Sequence, residues 1–304
     1  MRRGFIAVFA FVAAVSGPGT AAAADDGGLP AAFALMAGDG RTLGLGGAGV
    51  TLGGLNALYY NPAGLAALDK DNISSTYRAL SMDRRIVEVG YGRPIIGDAG
   101  IGITWTNATV DDLVGTNYAG NPTEELTNSQ NMFVFGFGRP VVLDWIHAGA
   151  AGRLYYSAIE EGRASGYGLD AGVQVTPWEW LTAAAAARDI ATRVRWENTV
   201  TSPNYVEEVP MRGLFGVAVR PWPELQLVVQ SDVGENEDWR VRGGGEYWVD
   251  ERVALRAGYG DEAPTFGATV LLPRGGFTVA FDYAYVEEKF TASSAHTVSL
   301  GLTF

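Results

Sequence analysis

Residues 277–285 read Phe-Thr-Val-Ala-Phe-Asp-Tyr-Ala-Tyr, with a bulky apolar side chain at every second position and a small or polar one between. This alternation places the two sets on opposite faces of a β-strand. The same period recurs in residues 101–105, 133–137 and 298–304. The pattern predicts strands with one apolar face, which both a water-soluble β-sandwich and a membrane barrel would contain.

Strand length and strand number favour the barrel. The segments are about 9–11 residues long, the length that a tilted strand needs to cross a bilayer, whereas soluble strands are more often about 5–6. Their number is even, as in bacterial outer-membrane barrels. We therefore predict an all-β fold, a transmembrane antiparallel up-and-down β-barrel of about 14 strands. The predicted strands are residues 72–80, 84–93, 99–109, 131–139, 146–157, 166–176, 180–190, 211–220, 224–232, 239–249, 252–260, 264–272, 276–286 and 295–304.

Short connections rich in Pro or Gly alternate with longer, more acidic ones. Transmembrane barrels have short periplasmic turns and longer outer loops, and a sandwich has no reason for this parity. Residues 192–210 are long enough to hold an extra hairpin. The predicted outer loops are residues 111–129, 159–165, 192–210, 233–238 and 287–294.

Pairs of adjacent acidic residues fall on this outer side. They are explained either as solvated loop faces or as sites where divalent cations bridge to lipopolysaccharide phosphates. The pairs are Asp111-Asp112, Glu124-Glu125, Glu160-Glu161, Glu207-Glu208, Asp261-Glu262 and Glu287-Glu288.

Both ends of the chain carry targeting features. Met1-Arg2-Arg3, an apolar stretch at 5–15 and alanines at 21–24 predict a cleaved secretory signal peptide over residues 1–24. The final strand ends on Phe304 and resembles the C-terminal signal that the outer-membrane insertion machinery reads. We therefore predict a location in the bacterial outer membrane, with membrane lipid, lipopolysaccharide and the insertion machinery as partners.

Composition excludes several kinds of chemistry. The chain has no Cys, two His and a formal net charge of −12. Absent thiolates exclude zinc-thiolate sites and cysteine nucleophiles, and an acidic chain is a poor binder of nucleic acid. His296, with Ser293, Ser294 and Ser299 nearby, is the place to look for a barrel-borne lipid hydrolase. We predict no enzymatic activity, no metal and no cofactor.

An apolar, Gly-rich segment precedes the first strand. Such a segment would form an exposed apolar patch in water, whereas inside a barrel its glycines allow close approach to the wall. We predict three regions: signal peptide 1–24, a hatch within the lumen at 25–70, and the barrel at 71–304. Gly44, Gly46 and Gly49 also fit G-x-G-x-x-G, but no buried strand precedes them and no βαβ unit follows, which excludes a dinucleotide site.

Short motifs at both ends resemble the PorV/PorQ proteins, distant relatives of the FadL fatty-acid channels. Residues 41–50 and 55–65 resemble the opening of that family, although Gly53-Gly54 replaces its usual acidic pair. Residues 245–248, 254–259 and 282–285 resemble its C-terminal run. The resemblance implies a fourteen-stranded barrel with a lumenal hatch. The hatch motif comprises Gly44, Gly46, Gly47, Gly49, Asn61, Pro62, Ala63 and Gly64.

Charged residues of both signs are predicted on the inward strand faces. Their explanations are structural packing between wall and hatch, or a polar filter in which Arg242 or Arg256 holds a substrate carboxylate. The predicted lumen network comprises Glu88, Asp170, Arg242, Glu246, Arg256 and Asp282. We predict a plugged channel or binding barrel for hydrophobic or amphipathic small molecules. The alternative, implied by the resemblance, is a PorV-like accessory protein of a secretion system that binds a translocon or cargo protein.

Overall fold

The computed structural model describes residues 30–126, 128–159, 162–198, 204–234, 239–288 and 293–304, so the predicted signal peptide lies outside the described residues. Three short helices, α1 (Phe33–Met36), α2 (Gly40–Gly44) and α3 (Ala57–Tyr60), and a 3-10 helix (Pro62–Ala67) precede the strands. The strands are β1 (Asn72–Ala79), β2 (Arg84–Ile95), β3 (Ala99–Val110), β4 (Val114–Thr116), β5 (Pro122–Glu125), β6 (Asn128–Pro140), β7 (Ile146–Ile159), β8 (Gly162–Trp178), β9 (Leu181–Asn198), β10 (Tyr205–Glu208), β11 (Arg212–Trp222), β12 (Leu225–Gly234), β13 (Arg240–Trp248), β14 (Val253–Gly260), β15 (Ala263–Arg274), β16 (Phe277–Glu288) and β17 (Ser293–Thr303).

The large sheet closes on itself into an antiparallel barrel. Its order runs β9-β11-β12-β13-β14-β15-β16-β17-β1-β2-β3-β6-β7-β8, and β8 pairs back with β9. Strand β10 pairs only with the distal part of β9, at residues 193–196, while β4 and β5 form a separate hairpin. In the described residues the barrel therefore has 14 strands, which confirms the predicted fold class and strand number.

The strand bounds agree with the prediction except around β8 and β9. These two strands were predicted to cover 166–176 and 180–190, but they span Gly162–Trp178 and Leu181–Asn198. The predicted loop 192–210 is wrong in part, because β9 continues through its first half and β10 pairs with β9 inside it. The predicted loop 159–165 is wrong too, because β8 begins at Gly162 and the ladder continues beyond the predicted strand ends.

The wall has an apolar exterior and a lumenal face of smaller and polar side chains. On β6, Phe135 is 46% exposed on the outside, whereas its neighbour Val134 is fully buried on the inside. The exposed residues Trp178, Trp180 and Trp222 lie at the end of the barrel that carries the short connections, whereas the exposed Trp239 lies at the opposite end. We call the end with the short connections the turn end and the opposite one the loop end. No helix of the described residues is long and apolar enough to cross a membrane.

Residues 30–68 occupy the lumen, and we call this segment the plug. Its helix α2 contacts β14, β15, β16 and β17, while its 3-10 helix contacts β3, β6, β7 and β8 on the other side. Leu45, Leu58 and Leu65 of the plug are fully buried. The apolar core of the described structure thus lies mainly between plug and wall.

One stretch of the wall departs from regular pairing. Ala171 pairs with Ala187 and Tyr167 with Arg193, so three residues of β8 (168–170) oppose five of β9 (188–192). Asp189 and Ala191 take left-handed backbone conformations there, with φ of 58° and 52°. This bulge breaks the in–out alternation of β9, and the consecutive residues Arg188 and Asp189 are both buried.

Candidate functional site: the lumen of the plugged barrel

A cluster of four charged residues joins the plug to the wall near α2. Arg41 of the plug donates from Nε and Nη2 to the two carboxylate oxygens of Glu246, at 3.0 and 2.7 Å. Arg256 Nε donates to the same carboxylate at 2.6 Å, and its Nη1 lies 3.3 Å from Asp282 Oδ1. Thr269 bridges Arg256 and Asp282 by hydrogen bonds. We call these four residues the Arg41 cluster, and its two cations balance its two anions.

A second cluster lies beside the β9 bulge. Arg153 is fully buried and donates to Asp170 Oδ2 at 2.6 Å and to the plug carbonyl of Tyr59 at 2.9 Å. The Asp189 N–H donates to Asp170 Oδ1, and Tyr155 donates to the Asp189 carboxylate. These hydrogen bonds fix the bulge and attach α3 to the wall.

The remaining predicted lumen residues lie apart from these clusters. Arg242 pairs with Asp261 at 2.8 Å and approaches Asp232 at 3.6 Å, near the loop end. Glu88 is buried on β2 and accepts a hydrogen bond from Thr106. The structure thus brings Glu246, Arg256 and Asp282 together, and places Asp170, Arg242 and Glu88 in three separate surroundings.

The predicted motif residues shape the plug. Asn61 caps the 3-10 helix by accepting from Ala63 N–H, and its amide donates to the carbonyls of Val50 and Val173. Gly46 has φ of +74°, and a Cβ there would lie 2.5 Å from the Tyr259 carbonyl oxygen. Gly44, Gly47, Gly49 and Gly64 also lie in close contact with wall or plug atoms, while Pro62 starts the 3-10 helix and Ala63 is fully buried.

Among the cavities that the described residues form between plug and wall, three lie around Tyr60 and Arg41. A loop-end cavity of about 110 Å³ is lined by Arg188, Arg242 and Tyr60, among others. A larger turn-end cavity of about 250 Å³ is lined by Tyr60, Arg41 and Asp282. A smaller turn-end cavity of about 220 Å³ is lined by Arg41, Leu52 and Trp180.

Tyr60 and Arg41 each line two of these cavities. Tyr60 lines both the loop-end and the larger turn-end cavity, and its ring packs so closely on Gly49 that a Cβ there would lie 2.5 Å from it. Arg41 lines both turn-end cavities. Burial raises the pKa of Tyr60 well above its usual value, so this side chain is uncharged. Burial opposes the charge of Arg41, but Glu246 outweighs it and the pKa of Arg41 rises.

Several of the acidic residues on the loop side are engaged within the chain. Asp111 pairs with Arg85 at 2.8 Å, Glu208 with Arg193 at 3.1 Å, and Asp261 with Arg242. Glu160 and Glu161 lie outside the described residues. That divalent cations bridge these loops to lipopolysaccharide phosphates stays a prediction. To bind such a cation, each of these carboxylates would have to release its arginine partner.

The histidine singled out in the sequence lies outside the lumen. His296 Nε2 is 3.2 Å from Ser294 Oγ and its Nδ1 is 2.8 Å from the Tyr283 hydroxyl, at an exposed position. Ser299 faces the other way and hydrogen-bonds the plug N–H of Gly40. No group of three or more potential metal ligands occurs among the described His, Asp and Glu residues. The candidate site is therefore the lumen.

Sequence reasoning missed Arg41 and Asp189. Arg41 and Asp39 are the charged residues of the stretch 29–68, and isolated charges in an apolar segment must find partners when buried. That signal would have placed Arg41 opposite an inward carboxylate. Asp189 gave no such signal, because alternation along β9 points it outward and only the bulge turns it into the lumen.

Comparison with known proteins shows the fold. No protein-family model matches this sequence, and no curated protein sequence matches it. Among solved structures, the toluene transporter TodX of Pseudomonas putida superposes with a TM-score of 0.60 at 13% identity, covering 88% of this chain and 97% of that one. The monoaromatic hydrocarbon channel CymD superposes with a TM-score of 0.61 at 11% identity, covering 88% of this chain and 97% of that one. A Pseudomonas aeruginosa FadL homologue superposes with a TM-score of 0.57 at 11% identity, covering 88% of this chain and 98% of that one. The barrel therefore has the fold of these channels.

Proposed function

We propose that this protein is a plugged channel of the bacterial outer membrane for hydrophobic or amphipathic small molecules. The observation that carries the proposal is the row of cavities from the loop end to the turn end of the lumen, interrupted at Tyr60 and at Arg41. Both side chains belong to the plug. A limited movement of the plug would therefore join the cavities without opening the wall.

The exterior supports the membrane location. Its apolar side chains face outward on successive strands, and exposed tryptophans lie at both ends of the barrel, with Trp178, Trp180 and Trp222 at the turn end, where amphipathic rings favour a membrane interface. The fold is shared with the hydrocarbon channels TodX and CymD, which supports the same class of solute. The predicted signal peptide and C-terminal Phe304 agree with this route to the membrane.

The cavity linings support amphipathic solutes over purely apolar ones. The larger turn-end cavity combines Leu52, Leu55 and Leu271 with Arg256 and Asp282. A solute with an apolar body and one polar group fits such a lining, because ligand sites pair an apolar wall with a few polar groups that fix orientation.

The Tyr60 partition can be tested in planar bilayers and vesicles. We expect Tyr60→Ala to raise single-channel conductance and the uptake of a small amphiphile such as decanol over the wild type, because removal of the ring joins two cavities. Tyr118→Ala is the matched control, since Tyr118 is fully exposed in the loop between β4 and β5. Equal conductance and uptake for wild type and Tyr60→Ala would contradict the proposed path.

The bound material distinguishes a channel from a secretion partner. We expect a hydrophobic or amphipathic small molecule when the protein is purified from outer membranes and its extract is analysed by mass spectrometry. Co-purification of a translocon or cargo protein, with no such small molecule, would instead support the PorV-like alternative.

A further inference from the structure

The loop-end cavity is lined by an unusual set of cations. Arg188 and Arg212 are cross-strand partners on β9 and β11, both face the lumen, and they are only 4% and 6% exposed. Like charges directly opposite each other in a sheet are destabilising, and burial increases this cost. Arg78, Arg240 and Arg242 line the same cavity, together with the carboxylates of Asp232 and Asp261.

The carboxylates of Asp232 and Asp261 already have partners other than Arg188. Asp261 pairs with Arg242 at 2.8 Å, and Asp232 accepts from Gln230 at 2.6 Å and lies 3.6 Å from Arg242. Asp170 and Asp189, the acids nearest to Arg188 along the bulge, are hydrogen-bonded to Arg153 and Tyr155. These carboxylates accept their hydrogen bonds from other groups, and none of them accepts one from Nε or Nη2 of Arg188.

Arg188 is held in place, and two of its three guanidinium nitrogens have no hydrogen-bond partner among the described residues. Its guanidinium lies 4.4 Å from the centre of the Tyr59 ring, a cation–π contact that fixes its plane. Its Nε and Nη2 are buried and have no hydrogen-bond partner among the described residues. A buried guanidinium with free donors at the wall of a cavity is preorganised for an oxyanion.

We propose that the loop-end cavity binds a small multivalent oxyanion of the phosphate class, held by Arg188 and balanced by Arg212. The cavity of about 110 Å³ accommodates an anion of this size. Two arginines on neighbouring strands favour a ligand with more than one negative charge, because each guanidinium can then pair with its own oxygen. The anion comes either from free phosphate or from the phosphate of a lipid head group.

Calorimetric titration of the purified protein in a non-ionic detergent tests the site. Inorganic phosphate is titrated in one arm and dihexanoyl phosphatidic acid in the other, with chloride at matched ionic strength as the monovalent reference. We expect one anion per protein, with affinity reduced roughly tenfold to hundredfold in Arg188→Gln. Arg193→Gln is the matched control, because Arg193 is on the same strand with a side chain 66% exposed, and it should bind like the wild type.

The two titrations distinguish free phosphate from the phosphate of a lipid head group. Binding of phosphate supports a free oxyanion, whereas binding of phosphatidic acid alone supports a lipid head group. No binding in either arm, or equal affinities for wild type and Arg188→Gln, would overturn the proposal. Arg188→Lys keeps the charge without the planar fork and should weaken binding to an intermediate degree. It therefore serves as the test if Arg188→Gln does not fold.

Discussion

The ion pair between Arg41 and Glu246 should be the strongest single tie between plug and wall. Glu246 is 1% exposed and accepts from both Arg41 and Arg256, so Glu246→Gln leaves two guanidiniums facing one remaining carboxylate. Loss of one partner from a buried ion pair costs about 3–5 kcal/mol. The side chain of Arg41 is 34% exposed, and its replacement leaves Glu246 paired with Arg256. Arg41→Gln should therefore reduce the free energy of unfolding by less, about 1–2 kcal/mol.

A double-mutant cycle isolates the contribution of the pair. We expect the two substitutions together to cost less than the sum of the single ones, with a coupling of at least about 1 kcal/mol. The control is the Arg85–Asp111 pair, whose charged atoms are 2.8 Å apart against 2.7 Å for Arg41–Glu246, but whose side chains are 44% and 43% exposed. Its cycle should give below about 0.5 kcal/mol, because solvent screens exposed pairs.

The assay is urea unfolding of the protein in lipid vesicles, followed by tryptophan fluorescence. The conductance of Arg41→Gln in a planar bilayer is measured in parallel and should rise, because the Arg41 side chain lines both turn-end cavities. A coupling energy no larger than that of the exposed pair would refute the argument that burial makes this pair a tether. Unchanged conductance would refute its place in the path.

Three further changes test packing, charge and the membrane face. Gly100→Ala should destabilise by about 1–3 kcal/mol, because the new Cβ would collide with the plug backbone, whereas Gly152→Ala has open space and should be close to neutral in the same urea assay. Asp170→Asn should cost about 3–5 kcal/mol, measured likewise, because its fully buried partner Arg153 loses the 2.6 Å ion pair and keeps only the Asp189 carboxylate, 4.0 Å away. Phe135→Arg should cost about 2–4 kcal/mol in vesicles if this side chain faces the bilayer interior, while Tyr118→Arg in an exposed loop should cost almost nothing.

The sequence predicted strand positions and inward-facing residues correctly wherever side chains alternate regularly between the exterior and the lumen. The alternation around Phe135 and Phe281 identified the strands and also assigned Glu246, Arg256 and Asp282 to the lumen, because a regular strand repeats every two residues. Which inward charges meet could not be predicted, since this depends on register and barrel curvature. Glu88 shows the difference, because it faces inward as predicted but lies apart from the clusters.

Three features lay beyond any pattern of alternation. Alternation already places Arg188 inward, but the bulge in β9 turns Asp189 inward as well, and only the pairing of β8 with β9 reveals it. The extension of β9 to Asn198 was hidden because charged and polar residues in 192–198 are also typical of a loop. The pairing of Arg41 with Glu246 spans 205 residues and could not be read from local sequence.

The contacts of the plug also bear on the order in which the molecule assembles. The N–H of Gly40 donates to Ser299 Oγ, a partner 259 residues further along the chain. Contacts of such large separation close late and slowly, because the intervening chain must be ordered first. Helix α2 also contacts β15 and β16, so it can begin to dock on these strands, but its contacts with the wall are complete only when β17 is in place. The strand that closes the wall against β1 is thus the same strand that completes the seat of the plug.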